Sequence, residues 1–298
     1  MPLLHGIYGA IATPFNEDES LNEAALRAHV DFQISSGIHG IFALGTNGEF
    51  FVQTPQERAR VARVVVEQAA GRVPVIIGAG AITTRETIRV AQDAEAAGAD
   101  ALSIIAPYFA LASQDELIAH FTAVANAVTV PVVLYNIPAR TGVSIAPATV
   151  ATLAESVENI VAVKDSSGNF DTILQYLERT DRASFSVLSG NDSLNLWALQ
   201  AGGTGGISGI ANVYPATMAS IYDLFMAGKW DEARRAQDSV RAIRNCLALG
   251  NPNSIVKHAA NVRGAGLGPA RAPFNQLSAQ AVEAVRTTVE ADLARGLA

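Results

Sequence analysis

Lysine is nearly missing from this chain: Lys164, Lys229 and Lys257 stand against eighteen arginines. Cysteine is rarer still. The lone Cys246 excludes an internal disulfide, and its apolar neighbours predict a packed thiol. Basic surplus is also absent, since the net charge is −7 and no block of like charges occurs, which leaves no electrostatic footprint for nucleic acid. No apolar run approaches the roughly 18 residues of a membrane span. The first twenty residues hold no Lys or Arg, and Thr13-Pro14 ends the apolar stretch that begins at Gly6, so neither a signal nor a transit peptide is expected. His5, His29, His39, His120 and His258 show neither paired spacing nor a companion cysteine, so no metal is expected. A Gly-x-Ser-x-Gly elbow and a Walker lysine are missing too, which removes support for triad hydrolysis and for a nucleotide loop. The expected partners are small molecules and further copies of the chain, and the expected location is the cytoplasm.

What is present is apolar: nearly half the residues, against 16% charged, enough for a sizeable core. Short runs rich in Val and Ile alternate with longer segments of helical period, the pattern of repeated βα units on a parallel sheet. Eight strands are predicted, at residues 8–13, 40–44, 73–78, 101–106, 132–136, 160–164, 185–189 and 205–210. Helix starts are marked by Ser20-Leu-Asn-Glu23, Thr54-Pro-Gln-Glu57, Thr83-Thr-Arg-Glu86 and Ser113-Gln-Asp-Glu116, each read as a capping box. After the first, Leu21, Ala25, Ala28 and Phe32 form an apolar stripe. Eight strands each followed by a helix predict a closed (β/α)8 TIM barrel, with a doubly wound sheet as the competing α/β arrangement. Helical period continues over residues 215–227, 230–248, 253–263 and 278–295. The expected organisation is therefore a barrel carrying the active site over residues 1–228 and a C-terminal helical appendage over 229–298, packed on it.

In a parallel barrel the loops after the strands converge on one mouth. Strand ends there contribute Thr13, the stretch Gly45 to Glu49, Pro107-Tyr108-Phe109, the stretch Tyr135 to Arg140, Lys164, the stretch Ser189 to Asp192, and Gly206 to Gly209. Lys164 closes the apolar run Asn159-Ile-Val-Ala-Val-Lys164. A desolvated lysine loses its proton readily where arginine does not, so this residue is a candidate amine nucleophile. An ion pair with Asp165 or another nearby carboxylate is the open alternative. Tyr135 is either a proton relay or a rim aromatic, and Gly45-Thr46-Asn47-Gly48 either a carboxylate-binding turn or a plain tight loop. Arg140 is placed to meet an acidic substrate or simply solvent. The glycine-rich 201–206 stretch reads as close backbone packing in preference to a phosphate cradle. Lys229 and Lys257 have ordinary surroundings.

Three motifs together, Gly-Thr-Asn-Gly-Glu at 45–49, Tyr-Asn-Ile-Pro-Ala-Arg-Thr-Gly at 135–142 and Val-Lys-Asp-Ser-Ser-Gly-Asn at 163–169, resemble the dihydrodipicolinate synthase and N-acetylneuraminate lyase superfamily of pyruvate-dependent class I aldolases. The resemblance implies that Lys164 is the Schiff-base lysine and Tyr135 the proton relay. It further implies that Thr46 hydrogen-bonds this tyrosine, and that the Thr46 and Asn47 amides hold the pyruvate carboxylate. Arg140 would meet the second substrate's carboxylate, and Gly190 and Ile207 would line the pyruvate pocket. No separate cofactor is implied, only a covalent imine with pyruvate or another 2-oxo acid. The synthase branch usually has threonine where this chain has Asn47, and a second tyrosine where it has Phe109, leaving Tyr108 as the nearest hydroxyl. These departures favour a lyase acting on 4-hydroxy-2-oxo acids, of the 2-keto-3-deoxy sugar acid or 4-hydroxy-2-oxoglutarate type. Condensation of pyruvate with aspartate semialdehyde, dehydration of a deoxy-keto sugar acid and keto-acid binding without turnover are the alternatives. A homotetramer built from two dimers is expected by the same analogy.

Overall fold

The eight apolar runs become eight short parallel strands: β1 (Gly6–Ala10), β2 (Gly40–Ala43), β3 (Val75–Gly78), β4 (Ala101–Ile105), β5 (Val132–Asn136), β6 (Ile160–Asp165), β7 (Ser186–Ser189) and β8 (Gly205–Ser208). In the computed structural model, which describes residues 4–298, they hydrogen-bond in sequence order into a closed barrel. Every strand residue is buried. Both faces of a parallel sheet are covered, which is why the strands read as unbroken apolar runs and not as an alternation.

Between and after the strands lie thirteen α-helices among the described residues. They are α1 (Glu23–Ser35), α2 (Pro55–Ala69), α3 (Thr84–Ala96), α4 (Gln114–Ala125), α5 (Pro138–Thr141), α6 (Pro147–Ser156), α7 (Phe170–Arg179) and α8 (Asn195–Ala201), then α9 (Pro215–Met226), α10 (Trp230–Ser239), α11 (Arg241–Cys246), α12 (Pro252–Val262) and α13 (Ala279–Ala294). None is long and apolar enough to cross a membrane. Packing divides the chain into two compact units, one of the segment up to Gly6 with Ile76–Ile207, the other of Ile7–Val75 with Ser208–Ala298.

Reciprocal capping boxes form at Thr54 with Glu57 and at Ser113 with Glu116. At Thr83 the side chain accepts from the Glu86 amide. The box expected at Ser20 does not form. Asn22 caps α1 instead, because Ser20 is held by Asp18 in the preceding turn. The start shifts, and the face shifts with it: Leu26, His29, Val30 and Gln33 are buried while Ala28 is exposed. Two of these are polar, so an apolar stripe could not reveal them. His29 gives its ring nitrogen to Asn212 Oδ1 at 2.8 Å, and burial holds its pKa down to about 4. Asn212 also accepts from the Ala12 amide and donates to Ala10 O and Gly209 O, so one buried amide ties the end of β1 to the turn after β8. The helix expected over 230–248 is broken at Val240 into α10 and α11. Cys246 is buried, with its sulfur near Ala242 O and Thr288 Oγ1.

The glycine-rich stretch before β8 is indeed a close approach of backbones. A β-carbon at Gly205 would lie 2.0 Å from Gly6 O, and one at Gly203 would lie 2.8 Å from Ala198 O. Backbone cannot swing aside as a side chain does, so Gly205→Ala is expected to destabilise the protein by about 2–3 kcal/mol. A urea-unfolding midpoint that stays at the wild-type value would contradict this packing.

Candidate active site

Two adjoining strands build the core of the site. β5 and β6 pair in parallel with Tyr135 opposite Lys164 and Asn136 opposite Asp165, after an irregularity at Val132 and Val133 that skips Val161 on the β6 side. Successive strand side chains point to opposite faces, so each matched pair shares a face and the two pairs face opposite ways.

Lys164 and Tyr135 are each only 4% exposed. The Lys164 Nζ atom lies 4.0 Å from the centre of the Tyr135 ring and hydrogen-bonds with the Tyr135 side chain. Burial lowers the Lys164 pKa below the usual lysine range, partly opposed by Tyr135 and by the charge of Asp192. A charged ammonium loses hydration here that these neighbours only partly replace, so the neutral form is reached more readily than for a solvated lysine.

The alternative of an ion pair with Asp165 is answered by the register. Asp165 accepts from Asn136 Nδ2 at 2.6 Å through one oxygen and from Ser167 Oγ at 2.6 Å through the other. Asn136 Oδ1 in turn accepts from the Ile145 amide, whose own carbonyl takes the Tyr176 hydroxyl at 2.6 Å. This buried network bolts the ends of β5 and β6 together one residue beyond Tyr135 and Lys164. Gly190 provides the space beside it: a β-carbon there would sit 2.8 Å from Lys164 Cε and 2.1 Å from Ser166 Oγ. Its amide donates to Asp165 O at 2.7 Å, so the glycine cannot retreat. Ile207 is buried in β8, next to Gly206, which pairs with Ser189.

Arg140 lies exposed on the single turn α5, directly after the site strand β5. Tyr108 is half-buried, whereas Phe109 is 94% exposed with φ at 79°, a left-handed conformation uncommon for a bulky residue. In the second unit, Thr46 and Asn47 occupy the loop after β2, both partly exposed. The loop is bracketed by two non-glycine residues with positive φ, Leu44 at 56° and Glu49 at 55°, each costing about 1 kcal/mol or more. Thr13 Oγ1 and Gln53 Nε2 donate to Gly48 O at 2.7 and 2.6 Å and help hold it.

Lys257 departs from expectation. It is 1% exposed, and its ammonium meets Glu49 Oε1 at 2.6 Å, donates to Pro269 O at 2.9 Å and lies 4.3 Å from the Phe15 ring centre. The Asn-Pro-Asn that opens α12 gives no sign of this, because the partner of Lys257 stands about two hundred residues away. Asp192 and Asn136 carry no role in the sequence reading, and Asp165 enters it only as an ion-pair partner for Lys164, since each draws its meaning from a neighbouring strand. Groups of three or more metal-ligating side chains do not occur among the described residues.

Two substitutions separate the contributions of this geometry. Gly190→Ala should leave a folded protein whose Lys164 reacts with 2-oxo acids at least about ten-fold more slowly, since the side chain must leave its position. Asp165→Asn keeps the shape but weakens the charge-assisted bonds to Asn136 and Ser167, at about 1–2 kcal/mol of stability. Wild-type reactivity in the first variant, or wild-type stability in the second, would contradict the assigned roles.

The sequence profile described as the dihydrodipicolinate synthetase family matches residues 3–292. A 4-hydroxy-tetrahydrodipicolinate synthase from Methanosphaerula palustris is 37% identical over 285 residues, covering 95% of this chain and 97% of that protein. An uncharacterised DapA-like lyase of Halobacterium salinarum is also 37% identical, covering 98% and 93%. Among solved structures, dihydrodipicolinate synthase from Aquifex aeolicus superposes with a TM-score of 0.93 at 33% identity, covering 97% of this chain and 98% of that one. YagE, a prophage protein of the dihydrodipicolinic acid synthase family from E. coli K12 solved with pyruvate, superposes at 0.94 and 32% identity, covering 98% and 99%. With the barrel, the paired Lys164 and Tyr135 and these full-length matches, the chain belongs to the dihydrodipicolinate synthetase family and is a metal-independent class I, Schiff-base-forming lyase.

Proposed function

We propose that Lys164 forms an imine with a 2-oxo acid and that the enzyme cleaves, or in reverse condenses, a 4-hydroxy-2-oxo acid with pyruvate as one partner. The single observation that carries this is the desolvated Lys164 amine held against Tyr135. The neutral amine attacks the C2 carbonyl, and Tyr135 passes a proton to the carbinolamine oxygen, which leaves as water. The resulting iminium withdraws electrons from the C3–C4 bond. As that bond breaks, the C4 hydroxyl gives up its proton and becomes an aldehyde carbonyl. The enamine left behind takes a proton at C3, and hydrolysis returns pyruvate and the free amine.

The resemblance gives the Thr46 and Asn47 amides the substrate carboxylate and Gly190 and Ile207 the walls of the pocket. Asn47 and Phe109 are the residues that turn the reading toward hydroxy-oxo acids, since Phe109 lacks the phenol of a second proton relay. Arg140 and the relatives named as synthases favour a second reading, condensation of pyruvate with aspartate semialdehyde. The proposal includes a cytoplasmic homotetramer, supported by Phe109 and Leu111, which stand 94% and 72% exposed on one loop.

Incubation with pyruvate and borohydride is expected to add the reduced pyruvyl mass to Lys164. Lys164→Ala should lose more than about a thousand-fold of the activity, and Tyr135→Phe about a hundred-fold or more. A panel of hydroxy-oxo acids assayed for pyruvate release should outpace consumption of aspartate semialdehyde. The reverse ranking would favour the second reading, and an unlabelled Lys164 would end both.

A further inference from the structure

The loop that carries Thr46 and Asn47 is held from far along the chain. Asn253 Nδ2 donates to Thr46 O at 2.7 Å, and Asn253 is itself 2% exposed. One turn further along α12, Lys257 pairs with Glu49 Oε1 at 2.6 Å, and the other carboxylate oxygen accepts from the Arg271 amide at 3.0 Å. The Arg271 guanidinium donates to Val52 O at 2.9 Å and pairs with Glu57, while its carbon lies 4.1 Å from the centre of the Phe15 ring on which Lys257 also rests. Both ends of the 46–49 loop are thereby fastened to α12 and the segment after it.

A trans peptide is planar, with its carbonyl and its amide pointing in opposite directions. Fixing the Thr46 carbonyl toward Asn253 therefore aims the Asn47 N–H the other way. We propose that Asn253 and Lys257 form a C-terminal latch that orients the Asn47 amide for the carboxylate of the 2-oxo acid, making them positioning residues for substrate binding. This inference rests on the proposed function and adds to it a requirement for α12. Neither residue touches the substrate. Each acts through the loop, the first on the peptide that would donate and the second on the left-handed Glu49 that ends the loop.

The test compares wild type with Asn253→Ala and with the charge-neutral pair Glu49→Gln/Lys257→Met, which keeps the proposal measurable if a single change at Lys257 prevents folding. Pyruvate imine is trapped with borohydride across a range of pyruvate concentrations, and amide hydrogen exchange is followed in peptides spanning residues 45–49. Half-saturating pyruvate should rise about ten-fold in both variants while the trapped yield at saturation holds, and loop exchange should quicken by a similar factor. A merely structural role would lower the unfolding temperature and leave half-saturation where it was. A wild type that traps pyruvate, with variants that saturate at the same concentration, overturns the latch alone. A wild type that traps nothing overturns the functional reading and the latch with it.

Discussion

A primary amine buried almost completely, with a phenol as its near neighbour, is the constraint from which the rest of this protein follows. A buried ammonium is costly, and the group answers by shedding its proton more readily. That same cost is what suits Lys164 to the nucleophilic role proposed for it. The strand must therefore deliver the side chain to an enclosed place, and the fold must stop it from relaxing toward solvent or toward a carboxylate. A parallel barrel does the first, because residues at strand ends face a mouth already walled by protein. The register of β5 and β6 does the second, sending Asp165 to the opposite face from Lys164.

Two different kinds of polar burial support this arrangement. Asp165, Asn136, Ser167 and Tyr176 form a network in which neighbouring groups satisfy one another, and it fixes the strand ends without competing for the amine. Glu49 and Lys257 form a buried ion pair in the other unit. Such a pair contributes little net stability over apolar residues of the same size, yet breaking it by removing one partner costs about 3–5 kcal/mol. Its value here is conformational: it pins a loop with two left-handed non-glycine residues in a shape the backbone alone would not choose.

The barrel was legible in the sequence because its signals are local. Val132 to Asn136 is unbroken in both sequence and structure, and the boxes at Thr54 and Ser113 need only four residues to be recognised. Lys164 and Tyr135 were legible because they end apolar runs and belong to motifs with a family resemblance. What escaped depends on distant partners. The α1 face includes His29 and Gln33, polar side chains buried because Asn212 and Ala211 O, far along the chain, receive them. Lys257 read as ordinary for the same reason. Trp230 to Ala248 carries a continuous helical period, and the break at Val240 is not marked by glycine or proline.

Membership of the family accounts for the chemistry, and the chain's own departures at Asn47 and Phe109 bear on the choice of second substrate, but all readings of that choice pass through the same amine. The most direct test of the account is therefore the titration of Lys164 itself, followed as the rate of imine formation with a 2-oxo acid against pH, with Lys164→Ala as the blank. The account predicts a rate that rises with pH through a transition below the usual lysine range and then levels off. A transition at the ordinary lysine value would mean that the ammonium is as well solvated as a surface lysine, and would contradict it.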